Sequence, residues 1–151
     1  MNSIKNILVA TDFTEFSRTA LDEAVALAEQ MKATVYVVHA VDKIEECAVD
    51  YCLSEEQITG EKLKLINEAR SKLDAEISRL RDRRGVTILS DIRYGKTIEE
   101  ILREEREKNI NLLVIGPHTR KTAWQRFRTH LSEKLIERSY CDTLVVHPAL
   151  Q

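Results

Sequence analysis

Between Gly116 and Lys134 the chain reads GPHTRKTAWQRFRTHLSEK, in which Arg120, Lys121, Arg126, Arg128 and Lys134 stand against the single acid Glu133. A local excess of positive charge attracts anions, and an arginine fork can grip a phosphate through two parallel hydrogen bonds. The stretch follows a short apolar run, Leu112 to Gly116, that ends in glycine. Three readings are open: a phosphate-binding loop, a degenerate remnant of one, or a solvated connection whose charges aid solubility. Trp124 and Phe127 lie inside it, as a docking patch or as residues that fold the loop onto the protein.

Other reactive side chains are more dispersed. Asp12 closes the apolar run that begins at Ile4, where its carboxylate can meet a ligand or cap the following helix. The histidines, His39, His118, His130 and His147, are scattered, His39 within a strand is expected to be structural, and no Ser/His/Asp or Cys/His set stands at motif spacing. No defined catalytic reaction follows. Cys47, Cys52 and Cys141 are an odd number in a chain that opens directly on a strand-like segment, so reduced thiols are expected. Cys47 and Cys52 leave a metal site or a redox pair open, but a single CxxxxC without a second nearby ligand pair is a weak signal for either.

The elements that must position these groups alternate in period. Ile4 to Ala10 is an apolar run suited to a strand covered on both faces, and Phe13, Phe16, Ala20, Ala24, Ala28 and Met31 then recur at helical spacing behind Thr14 as N-cap. Thr34 to Val41 is a second strand, ending at Asp42. Ser54 and Gln57 have capping-box spacing ahead of a long helix, with Leu63, Ile66, Ala69, Leu73, Ile77 and Leu80 as its expected buried stripe. Arg79, Arg81, Arg83 and Arg84 suit its basic end, and Gly85 its stop. Val86 to Tyr94 is a third strand, Thr97 and Glu100 are expected to cap a third helix, and Leu112 to Gly116 is a fourth strand. A last helix from about Thr129 precedes a fifth strand, Thr143 to His147, stopped by Pro148.

This order predicts an α/β fold: an open five-stranded parallel sheet with helices on both faces, Rossmann-like, in a single domain over residues 1–151. Ligands of such sheets sit at the carboxyl ends of the strands, where Asp12, Val41, Gly95 and Gly116 fall. With 151 residues, 43% hydrophobic and 32% charged, the chain can bury one ordinary core. Its formal charge of −2 speaks against a nucleic-acid binder with a positive surface. No apolar run approaches the roughly 20 residues that span a bilayer, so a cytoplasmic location without membrane contact is expected.

ILVATDFTEFSRTALDEAVALA, VVHAVD, YGKTIEEIL and LLVIGPHT with SEKLIERSYCDTLVVHP, in that order, resemble the universal stress proteins over essentially the whole chain. The resemblance implies the five-stranded fold, a role in stress tolerance, and a homodimer joined through the fifth strand, here Thr143, Leu144, Val145, Val146 and His147. It also implies, in many members, an ATP or AMP ligand, with magnesium if ATP. Asp12 matches the acidic nucleotide contact, and Ala40 or Val41 the apolar position beside adenine. Nucleotide-binding members carry Gly, two residues, Gly, nine residues, then Gly followed by Ser or Thr. Gly116 holds the first of these positions, but Thr119 replaces the second glycine, Thr129 the third, and His130 the hydroxyl.

Glycine in a phosphate loop permits positive φ and close backbone approach, whereas a β-branched residue there costs on the order of 1–2 kcal/mol. Thr119 therefore predicts a different loop path. A phosphate site would have to be rebuilt from side chains such as Arg120 and His130. A response-regulator reading fails, because DIRYG ends without an acceptor carboxylate and Pro148 follows the fifth strand. An ATP pyrophosphatase reading fails for lack of a glycine-rich turn in TDFTEFS. Two classes stay open: a dimeric regulatory or protective binding module acting through an unknown protein partner, or a nucleotide sensor or weak ATPase.

Overall fold

The computed structural model describes residues 3–44, 52–80, 82–83, 85–117 and 131–148. Strands β1 (Asn6–Ala10), β2 (Thr34–Asp42), β3 (Thr87–Gly95), β4 (Leu112–Ile115) and β5 (Asp142–Val145) form one parallel sheet in the order β3-β2-β1-β4-β5. Helices α1 (Glu15–Met31), α2 (Glu55–Ser78), α3 (Thr97–Glu107) and α4 (Leu131–Arg138) connect them. The expected α/β architecture is therefore present, with β3 and β5 as edges. The order reverses between β1 and β4, which is where a doubly wound sheet opens a crevice.

Alternation along the strands divides the core in two. Ile7, Val9, Val35, Val37 and Val114 face one side, against Ala20, Ala24 and Ala28 of α1 and Leu73 of α2. Leu8, Val38, Leu113 and Ile115 face the other, against Ile101 and Leu102 of α3 and Leu135 of α4. β1 pairs with β2 from Asn6↔Thr34 to Ala10↔Val38, and β2 then runs four residues further while still paired with β3 as far as Asp42↔Gly95. Residues 39–42 thus overhang the end of β1.

Local chemistry sets the helix ends. Thr14 caps α1 by accepting from the Ser17 amide, and Ser54 and Gln57 form the expected capping box on α2. Three expectations need correction. Leu63 is 55% exposed, because only the later turns of α2, from Ala69 on, bury residues against the sheet. α2 stops at Ser78, with Gly85 left-handed (φ 84°) in the turn before β3. Thr97 and Glu100 form no capping box. Lys96 is the N-cap of α3 without a side-chain bond, the Thr97 hydroxyl donates to Asp42, and Glu100 accepts from Arg93 and Arg103.

The cysteine expectation also changes. Cys52 is disulfide-bonded, and Cys141 is the free cysteine among the described residues. Spacing along a chain does not report the backbone proximity a disulfide requires. Burial pushes the Cys141 thiol up to about 11, so it is not the thiolate that reacts near neutral pH. Cys47 lies outside the described residues.

Candidate functional site

The β1–α1 turn is fixed from several directions. Asp12 Oδ1 accepts from the Thr14 amide at 3.0 Å and from the Thr14 hydroxyl at 2.5 Å, so the carboxylate orients the residue that caps α1. Thr11 Oγ1 lies 3.0 Å from Ser17 Oγ and accepts from the Phe13 amide at 3.1 Å. His39 Nδ1 lies 2.7 Å from the Thr11 carbonyl oxygen; since a carbonyl only accepts, Nδ1 carries the proton. The His39 ring stacks on Phe13 with centroids 4.3 Å apart. Phe13 is held at φ 63°, a conformation costing a bulky residue on the order of 1–2 kcal/mol and sustained by these surrounding bonds.

Beside this turn lies a cavity of about 620 Å³ at the carboxyl ends of β1, β2 and β4. Ala10, Val38, Ala40 and Ile115 supply apolar surface from the strands; Ile98, Ile101, Leu131 and Leu135 supply it from α3 and α4. Polar groups converge on it from three elements: Asp12 from the end of β1, His39 and Asp42 from β2, and Ser132 from α4. Charged residues at its margin are Lys96 and Glu99 from the start of α3, and Lys134, Glu137 and Arg138 from α4. Arg138 and Glu99 meet across the two helices at 2.9 and 3.2 Å, and this contact holds the Glu99 carboxyl below the ordinary carboxylate range.

Gly116 ends β4 against α1. A Cβ there would stand 2.8 Å from the Phe16 carbonyl oxygen, so the close approach of strand and helix requires glycine whatever else the residue does.

Of the residues singled out in the sequence, Asp12, Ala40 and Gly116 line the cavity together. Val41 does not: it is 7% exposed and absent from the lining. Thr119, Arg120, Thr129 and His130 lie outside the described residues, as do Trp124 and Phe127. Thr143, Leu144 and Val145 lie on edge strand β5, followed by Val146 and His147. His39, expected to be structural, braces the β1–α1 turn, whereas Asp42, Glu99 and Arg138 were not singled out in the sequence as site residues. An acidic residue closing each of the first two apolar runs was the available signal for Asp42; the pairing of Glu99 with Arg138 left none. Among the described residues no group of three or more His, Cys, Asp or Glu is placed to hold a metal.

A doubly wound sheet with a cavity at its switch point places the chain among the open α/β modules whose crevice lies at the carboxyl ends of the strands. Residues 3–147 match the model of the universal stress protein family, and the chain belongs to that family. It is similar to Universal stress protein MJ0531 of Methanocaldococcus jannaschii, 27% identical over 146 residues that cover 96% of this chain and 83% of that protein. The solved structure of MJ0577, from the same organism, superposes with a TM-score of 0.80 at 25% identity, covering 99% of this chain and 100% of the other. A universal stress protein family member from Arabidopsis thaliana, solved with AMP bound, matches with a TM-score of 0.65 over 96% of this chain and 92% of that one. At 13% identity that last likeness shows the fold alone.

Proposed function

We propose that this universal stress family protein is a regulatory nucleotide-binding module of the cytoplasm, taking an adenine nucleotide in the cavity beside Asp12 and acting through partners rather than by catalysis. The observation that carries this reading is the cavity itself. Its volume of about 620 Å³ falls in the range of small-molecule sites, and it combines apolar walls with a few convergent polar groups. The relative solved with AMP bound supports the same ligand class.

In this reading the short Ala40 side chain leaves room for a planar base beside Val38, and Asp12 accepts from a sugar hydroxyl. Thr119, Arg120, Thr129 and His130 are the proposed phosphate-side partners, with magnesium accompanying the ligand if it is ATP. The lost motif glycines favour a second reading, in which the cavity takes no nucleotide and the protein is a protein-binding module. A homodimer through β5 belongs to both, since an apolar edge strand is a template for pairing. A monomer mass by light scattering at micromolar concentration would remove that element.

Calorimetric titration with ATP, AMP and cyclic AMP, with and without magnesium, tests the nucleotide reading. Micromolar binding is expected, weakened by Asp12→Ala and blocked by Ala40→Leu, which fills the cavity without disturbing the Thr14 cap. Absence of heat up to millimolar nucleotide would overturn it in favour of the second.

A further inference from the structure

Resting on the nucleotide reading of the same cavity, the geometry points to Arg138 as a further residue that recognises a terminal phosphate, stored on Glu99 until the ligand arrives. Lys96, Lys134 and Arg138 are the cations that line the cavity among the described residues. Arg138 differs from the lysines in kind, because its guanidinium is already arranged as a fork. Nη1 donates to Glu99 Oε1 at 2.9 Å and Nη2 to Oε2 at 3.2 Å. Two parallel N–H groups that match a carboxylate match two phosphate oxygens equally well, which a point-charge ammonium cannot do.

The pair is also easy to exchange. Its side chains are 46% and 49% exposed, and ion pairs so open to solvent contribute little net stability. It bridges α3 to α4 at the exposed rim of the cavity. The two helices are independently joined further along, where Glu105 accepts from the Ser139 hydroxyl and the Tyr140 amide. Opening the rim pair therefore leaves the helix packing in place.

Charge decides which ligand wins the exchange. Glu99 offers one negative charge. A phosphomonoester carries between one and two near neutral pH, because its second pKa is about 6, whereas a cyclic phosphodiester carries only one. Arg138 thus favours AMP over cyclic AMP, and the departing Glu99 carboxylate, a like charge near the phosphate, opposes both.

Adenosine, AMP and cyclic AMP titrated into wild type, Arg138→Gln and Glu99→Gln provide the test. Arg138→Gln is expected to weaken AMP about tenfold, the effect of losing a charge-assisted pair of hydrogen bonds, with adenosine unchanged and the preference for AMP over cyclic AMP reduced. Glu99→Gln is expected to tighten AMP. Equal losses for AMP and adenosine, or no loss for AMP, would overturn the assignment while leaving the nucleotide site standing. If wild type binds none of the three, the nucleotide reading falls and this assignment falls with it.

Discussion

The two faces of the sheet are built by different means. On the α1/α2 face, Ala20, Ala24 and Ala28 are fully buried, and the short side chains bring α1 so near the sheet that Gly116 touches the Phe16 backbone. On the α3/α4 face, α3 buries Glu100, Glu104 and Glu105 beside Ile101 and Leu102. Arg93, on edge strand β3, donates to Glu104 at 2.5 Å, to Glu100 at 3.3 Å and to Glu107. One face closes by apolar contact at short range. The other is held by directed polar bonds at its periphery and leaves a cavity, with apolar walls and a few polar groups, at the strand ends. A cavity and a tight core are thereby accommodated on one sheet.

Substitutions that exchange these two modes should have graded effects. The largest is expected from Arg93→Ala, which leaves buried carboxylates without their cation and should cost about 3–5 kcal/mol in urea unfolding. Burial opposes the Arg93 charge, but Glu104 and Glu107 outweigh it and raise the guanidinium pKa; an unchanged urea midpoint would show that the polar network is ornamental. Next is Gly116→Ala on the tightly closed face, where the new methyl meets backbone and should cost about 1–3 kcal/mol. A loss below a few tenths would mean α1 can retreat from β4.

The smallest effect has the opposite sign. Glu76 is buried on α2 with Oε2 lacking a hydrogen-bond partner among the described residues, and burial raises its pKa against the pull of Arg18 and Arg79. A raised folded-state pKa means that the ionised carboxylate costs stability at neutral pH. The cost vanishes as pH falls below the unfolded value. Glu76→Gln should therefore gain up to about 1 kcal/mol at pH 7 and nothing near pH 3, as read by thermal unfolding at both values. An equal gain at both pH values would point to packing instead.

The fold was legible because strand and helix periods alternate cleanly and because Thr14, Ser54 and Gln57 cap as their spacing predicts. Legibility failed where tertiary contacts redirected a local preference. Thr97 and Glu100 have capping spacing, but Asp42 and Arg93 claim their side chains. Leu63 has the right period but lies on a turn of α2 with no buried neighbours on that helix. In the cavity, Asp12 and Gly116 could be placed because strand ends can be counted along the chain, and Ala40 through the family resemblance. Glu99 and Arg138 are 39 residues apart, and only packing of α3 beside α4 brings them together.

The overhang of β2 beyond β1 has a further consequence. Across residues 39–42 the side of β2 that faced β1 has no strand beside it, so its main-chain edge borders the cavity region. Recognition through amide and carbonyl groups survives almost any side-chain replacement. Ala40 is already alanine, so a conventional alanine scan is blind at this position. Replacing the peptide bond that precedes it with an ester removes the Ala40 N–H, which lies on the β1 side of the strand, and would make that edge visible to experiment.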